Sequence, residues 1–184
     1  LNGVKDAVWQ LAELDLHGSI EAERDPIHKP RLEWIRARMK HPCVDVGSSF
    51  GYLGADVNID VSRCRAVLGK LLHPDREFIV ADAHHLPFKN SAFEQALLCE
   101  VLEHVENPGQ ALREAERVSR EIVATVPDEN PPFKPSCSTE HVRLYTKESL
   151  EELAGKAGLK VSEYQHLVNR ERGYAWHCLV ARRR

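Results

Sequence analysis

Cys43-Val-Asp-Val-Gly-Ser-Ser-Phe-Gly51, an apolar run of four residues broken by two glycines four apart, is the stretch that decides the fold of this 184-residue chain. Four residues too short and too apolar for an amphipathic helix read as a buried strand, and Gly47 ends it. Glycine follows where backbone must turn tightly or approach a ligand that a Cβ would keep away. Outward from this strand the pattern repeats. Strand signals fall at Val57–Ile59, Glu77–Ala81, Gln95–Cys99, Glu121–Val126, Lys160–His166 and Ala175–Ala181. Helical spacing occupies Ser62–Leu72, Pro108–Ser119 and Lys147–Ala157. Alternation of this kind predicts parallel strands joined by helical crossovers, an α/β Rossmann-like sheet with helices on both faces. Only a few residues separate the last two strands, too few for a helix, so they are expected to form an antiparallel hairpin at one edge.

Two helical patterns precede Cys43. Val4, Ala7, Val8, Leu11 and Leu14 share one face, and so do Leu32, Ile35 and Met39 in Arg31–Met39, with Pro30 in the first turn. The expectation is one domain over residues 1–184, with 1–42 as an N-terminal helical cover and 43–184 as the Rossmann-like core. Trp9 and Trp34 on those helices read as core residues.

Composition narrows the classes. Hydrophobic residues make up 42% and charged residues 29%, as in an ordinary globular domain. No run approaches the ~20 apolar residues of a membrane span, and the opening lacks the pattern of a secretory signal, so a cytoplasmic protein without a membrane partner is expected. A net charge of −3, with no basic cluster or aromatic series at the site end, argues against nucleic acid. The five cysteines are scattered without a CxxC pair, which suits a reducing compartment. Cys137 and His141 come nearest to a metal spacing, but two ligands fall short of a zinc set, and no metal is expected.

In an open parallel sheet, ligands bind beyond the carboxyl ends of the strands, where strand order reverses. The residues there form a coherent set. Asp60 ends the second strand, Asp82 follows the third and Glu100 the fourth; if the ligand is a nucleoside, a carboxylate at the place of Asp60 can accept its ribose hydroxyls and one at the place of Asp82 can accept from an exocyclic adenine amine. Asp45 is placed to hold the glycine turn and to lie near a cofactor amino group.

Several segments in order resemble the class I methyltransferases that use S-adenosylmethionine, in particular the group containing the ubiquinone and menaquinone biosynthesis methyltransferases. They are VDVGSSFG (44–51), NIDVS (58–62), IVADAHHLPFKNSAFEQALLCEVLEHVENPGQAL (79–112), VPDENPP (126–132) and HVRLYTKESLEELAGKAGLKV (141–161). The resemblance runs from about Cys43 to Ala157. It implies S-adenosyl-L-methionine as cofactor, held by Asp45, Gly47, Ser48, Gly51, Asp60, Val61, Asp82, Ala83, Cys99 and Glu100. It implies in-line methyl transfer to a small or medium organic acceptor, with His104 and His141 as candidate bases and Arg143 and Tyr145 as candidate acceptor contacts. Glu103 reads as a helix-surface charge beside His104, and His84 and His85 as exposed loop histidines. The Pro-rich segment Asp128–Thr139, together with the leading helices, is expected to cover the methyl group.

Two departures from the family pattern stand out. Its middle glycine is Ser49 here, and only eight residues separate Gly51 from Asp60, room for one helical turn at most. These leave a second reading, a cofactor-binding or scaffold protein without turnover. A nicotinamide-dependent oxidoreductase is a third, opposed by the missing G-x-G-x-x-G.

Overall fold

The computed structural model describes residues 27–134 and 141–184. The helix expected at Val4–Leu16, with Trp9, lies outside them, as does Cys137. Among the described residues are helices α1 (Lys29–Arg36), α2 (Arg63–Leu72), α3 (Pro108–Val118) and α4 (Lys147–Lys156). The strands are β1 (Cys43–Val46), β2 (Val57–Asp60), β3 (Glu77–Val80), β4 (Phe93–Cys99), β5 (Ser119–Pro127), β6 (Leu159–Asn169) and β7 (Tyr174–Arg183). They form one sheet in the order β3-β2-β1-β4-β5-β7-β6. The first five pair in parallel; β7 runs antiparallel to both β5 and β6.

Local chemistry sets the helix ends. Ser62 caps α2 by accepting from Arg65 N–H, and Asn107 caps α3 by accepting from Gln110 N–H, with Pro108 in the first turn. Thr146 opens α4 in a capping box with Ser149. Strand and helix limits differ from the sequence reading by a few residues; α1 starts earlier, at Lys29, and stops at Arg36 rather than Met39. Between Gly51 and Asp60 the chain makes turns and no helix.

Both faces of the central sheet are covered, and the side chains alternate with period two. Val44, Val46, Ala96, Leu98, Ile122 and Ala124 pack toward Ala111, Leu112 and Ala115 of α3 and Leu150 of α4. Cys43, Leu97, Val123, Cys178 and Val180 pack with Leu32, Trp34 and Ile35 of α1. Trp34 is therefore core, and the Arg38 guanidinium lies 4.1 Å from its ring centroid. No helix among the described residues is long and apolar enough to cross a membrane.

Candidate functional site

Strand order reverses between β1 and β4, and a cavity of about 790 Å³ opens there at the carboxyl ends of the strands. Asp45, Gly47, Ser48, Asp60, Val61, Asp82, Ala83, Cys99 and Glu100 all line it, with His104 at its margin. Four successive segments of chain thus meet in one space. Gly51 is absent from the wall and stands behind it, its carbonyl accepting from Arg76 Nη1 at 2.6 Å.

The glycine loop folds back on β2. Gly47 and Ser48 N–H groups both donate to Ile59 O at 2.8 Å, and Gly51 N–H donates to Ser48 O at 2.9 Å. Gly47, Ser49 and Gly51 all have positive φ, at 74°, 51° and 77°. Ser49 thus keeps the left-handed backbone of the missing glycine, at a cost of roughly 1–2 kcal/mol. Asp60 offsets part of that cost: Oδ2 accepts from Ser49 N–H at 2.9 Å and Oδ1 from Ser62 N–H at 2.8 Å. The carboxylate that the sequence assigns to a ligand also clamps the loop.

Asp45 is 2% exposed, and burial, then the charge of Asp60, push its carboxyl up to about 8, with Arg31 opposing. Arg31 was not singled out in the sequence. It is 9% exposed on α1, lines the cavity, lies 3.6 Å from Glu100 Oε1, and its Nη1 donates to Thr125 Oγ1 at 3.4 Å. No motif marks it, because its place depends on how α1 packs across the sheet. Glu100 has φ of 58° and accepts from Thr125 Oγ1 at 2.9 Å, which turns the chain away after β4. Burial pushes the Cys99 thiol up, so it behaves as an apolar wall.

Asp82 Oδ1 accepts from His84 N–H at 2.8 Å and faces its ring Nδ1 at 2.7 Å, and the backbone bond chiefly holds this carboxyl below its usual range. His84 is therefore a half-buried partner of Asp82 rather than an exposed loop residue. Val61 is 77% exposed beside Asp60, an apolar surface that a flat ring could cover.

The segment after β4 differs more from expectation. Glu103 is no surface charge: it is 1% exposed, both carboxylate oxygens lack hydrogen-bond partners, and burial drives its carboxyl well up. The chain at 141–145 covers it, with Val142 N–H donating to Glu103 O at 3.0 Å. His104 is exposed, and its ring meets that of His141 at a centroid distance of 4.7 Å. His141 itself does not line the cavity; its Nδ1 lies 2.9 Å from Glu129 Oε2.

Arg143 and Tyr145 are also outside the cavity wall. Arg143 donates to the carbonyls of Leu102, Val105 and Glu106, and Tyr145 OH to Leu102 O at 2.9 Å, so both anchor the turn that presents His104. The described part of the Pro-rich segment, 128–134, is docked on the β6–β7 hairpin through Lys134 N–H to Gly173 O and does not line the cavity. The remainder to Thr139 lies outside the described residues. Of the leading helices, α1 supplies Arg31 and Leu32 to the wall.

Residues 45–121 match a family model described as a methyltransferase domain. A demethylmenaquinone methyltransferase of Paenarthrobacter aurescens is 37% identical over 71 residues, 36% of this chain and 28% of that protein's length. Among solved structures, a possible histamine N-methyltransferase of Thermotoga maritima superposes with a TM-score of 0.75 at 17% identity, over 96% of this chain and all (100%) of that one. A 1,6-didemethyltoxoflavin-N1-methyltransferase of Burkholderia thailandensis, solved with its substrate and S-adenosylhomocysteine, gives a TM-score of 0.65 at 17% identity. It is matched over 100% of this chain and 90% of that one. The structural likenesses carry the fold, and the match to a methyltransferase domain covers residues 45–121, the segment that holds the glycine loop, Asp60, Asp82 and Glu100.

Proposed function

We propose that the protein transfers the methyl group of S-adenosylmethionine to a small or medium organic acceptor. The observation that carries this reading is the convergence of the glycine loop, Asp60 and Asp82 on one cavity at the reversal point of the sheet. Its 790 Å³ falls in the usual range for small-molecule sites. Ser48 Oγ supports the fit: it is buried, lines the cavity and has no hydrogen-bond partner in the protein. Asp60 would take the ribose hydroxyls and Asp82 the adenine amine, with Val61 and Ala83 beside the ring. Asp45 and Arg31 would face the ammonium and carboxylate of the methionine end.

The cofactor supplies a methyl already activated on a sulfonium. The protein's part is to hold the acceptor in line and keep water out, and positioning of that kind contributes ~7–11 kcal/mol to lowering a barrier. Of the two imidazoles on the cavity wall, His84 is engaged by Asp82, so His104 would accept a proton from a hydroxyl or acidic-carbon acceptor; His141 would act only through its ring contact. Titrating the protein with S-adenosylhomocysteine in a calorimeter, then following its release from S-adenosylmethionine across an acceptor panel, tests the reading. No heat of binding would refute the cofactor site, and binding without turnover on any acceptor would favour the scaffold.

With an acceptor that must lose a proton, His104→Ala should lower kcat by about 10²–10⁴-fold and leave S-adenosylhomocysteine affinity unchanged. An unchanged kcat at neutral pH would leave His104 without a role in proton transfer.

Cofactor binding should also be linked to protons. Asp45 is largely neutral in the free protein at pH 7 because its carboxyl is raised to about 8, whereas the cofactor's positive charge favours the ionised form. Affinity should therefore rise by up to about tenfold per pH unit toward pH 8 and level off above it. In the free protein the sign is opposite. The unfolded chain gives up this proton near 3.8, as an ordinary aspartate does, so stability contributed by Asp45 declines between there and about 8. Calorimetry in two buffers of different ionisation heat would read the released proton, and Asp45→Asn should abolish it. A pH-independent affinity in the unaltered protein would refute the linkage.

A further inference from the structure

On the far side of the sheet from β3, the hairpin of β6 and β7 places His166 directly opposite His177. Residues paired in this way point to the same face, and the two imidazoles stack at 5.1 Å with planes 19° apart. Asp128 follows the last residue of β5, and its N–H donates to Ala175 O at 2.9 Å, which turns its carboxylate toward both rings. Its Oδ2 lies 2.9 Å from His166 Nε2 and 3.6 Å from His177 Nε2. One ligand atom from each of the three residues lies within 4.8 Å of the others.

We propose that Asp128, His166 and His177 bind one divalent transition-metal ion of the zinc class, at a site separate from the cofactor cavity. None of the three lines that cavity. Ligand atoms held ~2.0–2.1 Å from a tetrahedral zinc sit about 3.3 Å from one another. The spacings from Asp128 Oδ2 bracket that value, and since all three ligand atoms lie within 4.8 Å of one another, rotation of the two imidazoles about their side-chain bonds would bring their nitrogens to a shared ion. Two imidazoles and one carboxylate favour zinc, cobalt or iron over magnesium or calcium.

Outer contacts already orient the ligands, as metal sites require. Asp128 Oδ1 accepts from Asn130 N–H at 3.1 Å and from its side-chain amide at 2.9 Å, which leaves Oδ2 turned to the rings. Tyr164 OH meets His177 Nδ1 at 2.7 Å. A hydroxyl accepts as readily as it donates, so it takes the Nδ1 proton when Nε2 turns its lone pair to a metal. An ordinary hydrogen-bonded Asp–His pair accounts for His166 and Asp128, whose Nε2 and Oδ2 are bonded to each other. It does not account for His177, whose side chain is 7% exposed and whose Nε2 has no hydrogen-bond partner. Buried polar atoms without partners are rare, and a metal supplies what this one lacks. The His166 side chain is 34% exposed, which opens a path for the ion and a fourth position for water.

Tag-free protein, stripped with a chelator, should be titrated with Zn²⁺ and with Co²⁺. The expected result is one equivalent bound, a visible tetrahedral Co²⁺ spectrum and a melting temperature raised by Zn²⁺. His166→Gln lies at the surface and should fold normally while weakening binding at least about tenfold; Asp128→Asn and His177→Gln should do the same, and Tyr164→Phe about tenfold. Absence of the Co²⁺ spectrum and of any Zn²⁺-dependent melting shift would overturn the proposal. So would metal binding that survives both histidine substitutions, which would point to the separate group of Glu103, His104 and His141.

Discussion

Asp60→Ala should weaken S-adenosylhomocysteine binding by on the order of 1–3 kcal/mol, about 5- to 150-fold, and lower the stability of the free protein by a similar amount. Both effects come from one carboxylate. A carboxylate has about four acceptor positions, and Asp60 gives one oxygen to Ser49 N–H at 2.9 Å and the other to Ser62 N–H at 2.8 Å. Removing it would take the clamp from a loop whose serine already has a positive φ of 51°, and the charged acceptor from a pair of ligand hydroxyls. Asp60→Asn separates the two roles, because it retains one acceptor oxygen and loses the charge. For Asp60→Ala, calorimetric affinity and the melting temperature should fall together, the latter by roughly 2–4 °C for each kcal/mol lost in a chain of this size. If the melting temperature falls and the affinity stays, Asp60 is a loop clamp and the ribose assignment fails.

Gly51→Ala should cost about 2–4 kcal/mol of stability, from overpacking added to a left-handed backbone. Gly51 has φ of +77°, and a Cβ built on it would stand 2.6 Å from Phe78 Cζ and 2.9 Å from Asn58 Oδ1. Neither neighbour yields cheaply. Phe78 is on β3, where its ring also packs over Gly69 of α2, so a displaced ring meets a second glycine whose Cβ would be 2.1 Å from Phe78 Cε1. Asn58 is fully buried and bonded through its amide to Ala55 O and Glu77 O. Urea unfolding would measure the loss. A change below about 1 kcal/mol would mean that the loop relaxes in a way the packing does not suggest.

Much of this fold can be read from the sequence because its signals are local. Each parallel strand is a short apolar run, α2, α3 and α4 are amphipathic helices each with its own cap, and the two long final strands are joined too closely for a crossover. The cofactor side of the cavity is legible for the same reason: ligands bind at strand ends, so Gly47, Asp60 and Glu100 directly follow a strand or close it and Asp82 stands two residues past one. Lengths of elements were less legible, since buried ends such as Phe93 of β4 and Ser119 of β5 join the ladder through pairing with each other.

The acceptor side is less legible in the sequence. His141, Arg143 and Tyr145 lie close in sequence to the expected pocket, but their partners are the buried Glu129 and the carbonyls of the 102–106 turn. Glu103, polar and next to His104, reads as a surface charge; the tertiary fold lays 141–145 over it and removes it from water. Arg31 carries no motif and enters the cavity only because α1 crosses the sheet there.

Taken by itself, then, the sequence determined the alternation of strands and helices, the strand-end acids and the glycine loop, because these depend on residues a few positions apart. The tertiary structure decided which side chains lost water and which charges became neighbours: Arg31 beside Glu100, Asp45 beside Asp60, and Asp128 with His166 and His177. Those pairings join residues separated by up to 69 positions in one case (Arg31 to Glu100) and 49 in another (Asp128 to His177). Propensity and periodicity act within an element, whereas burial and Coulomb interaction depend on distance in space, which only the register of the sheet and the packing of helices across it establish.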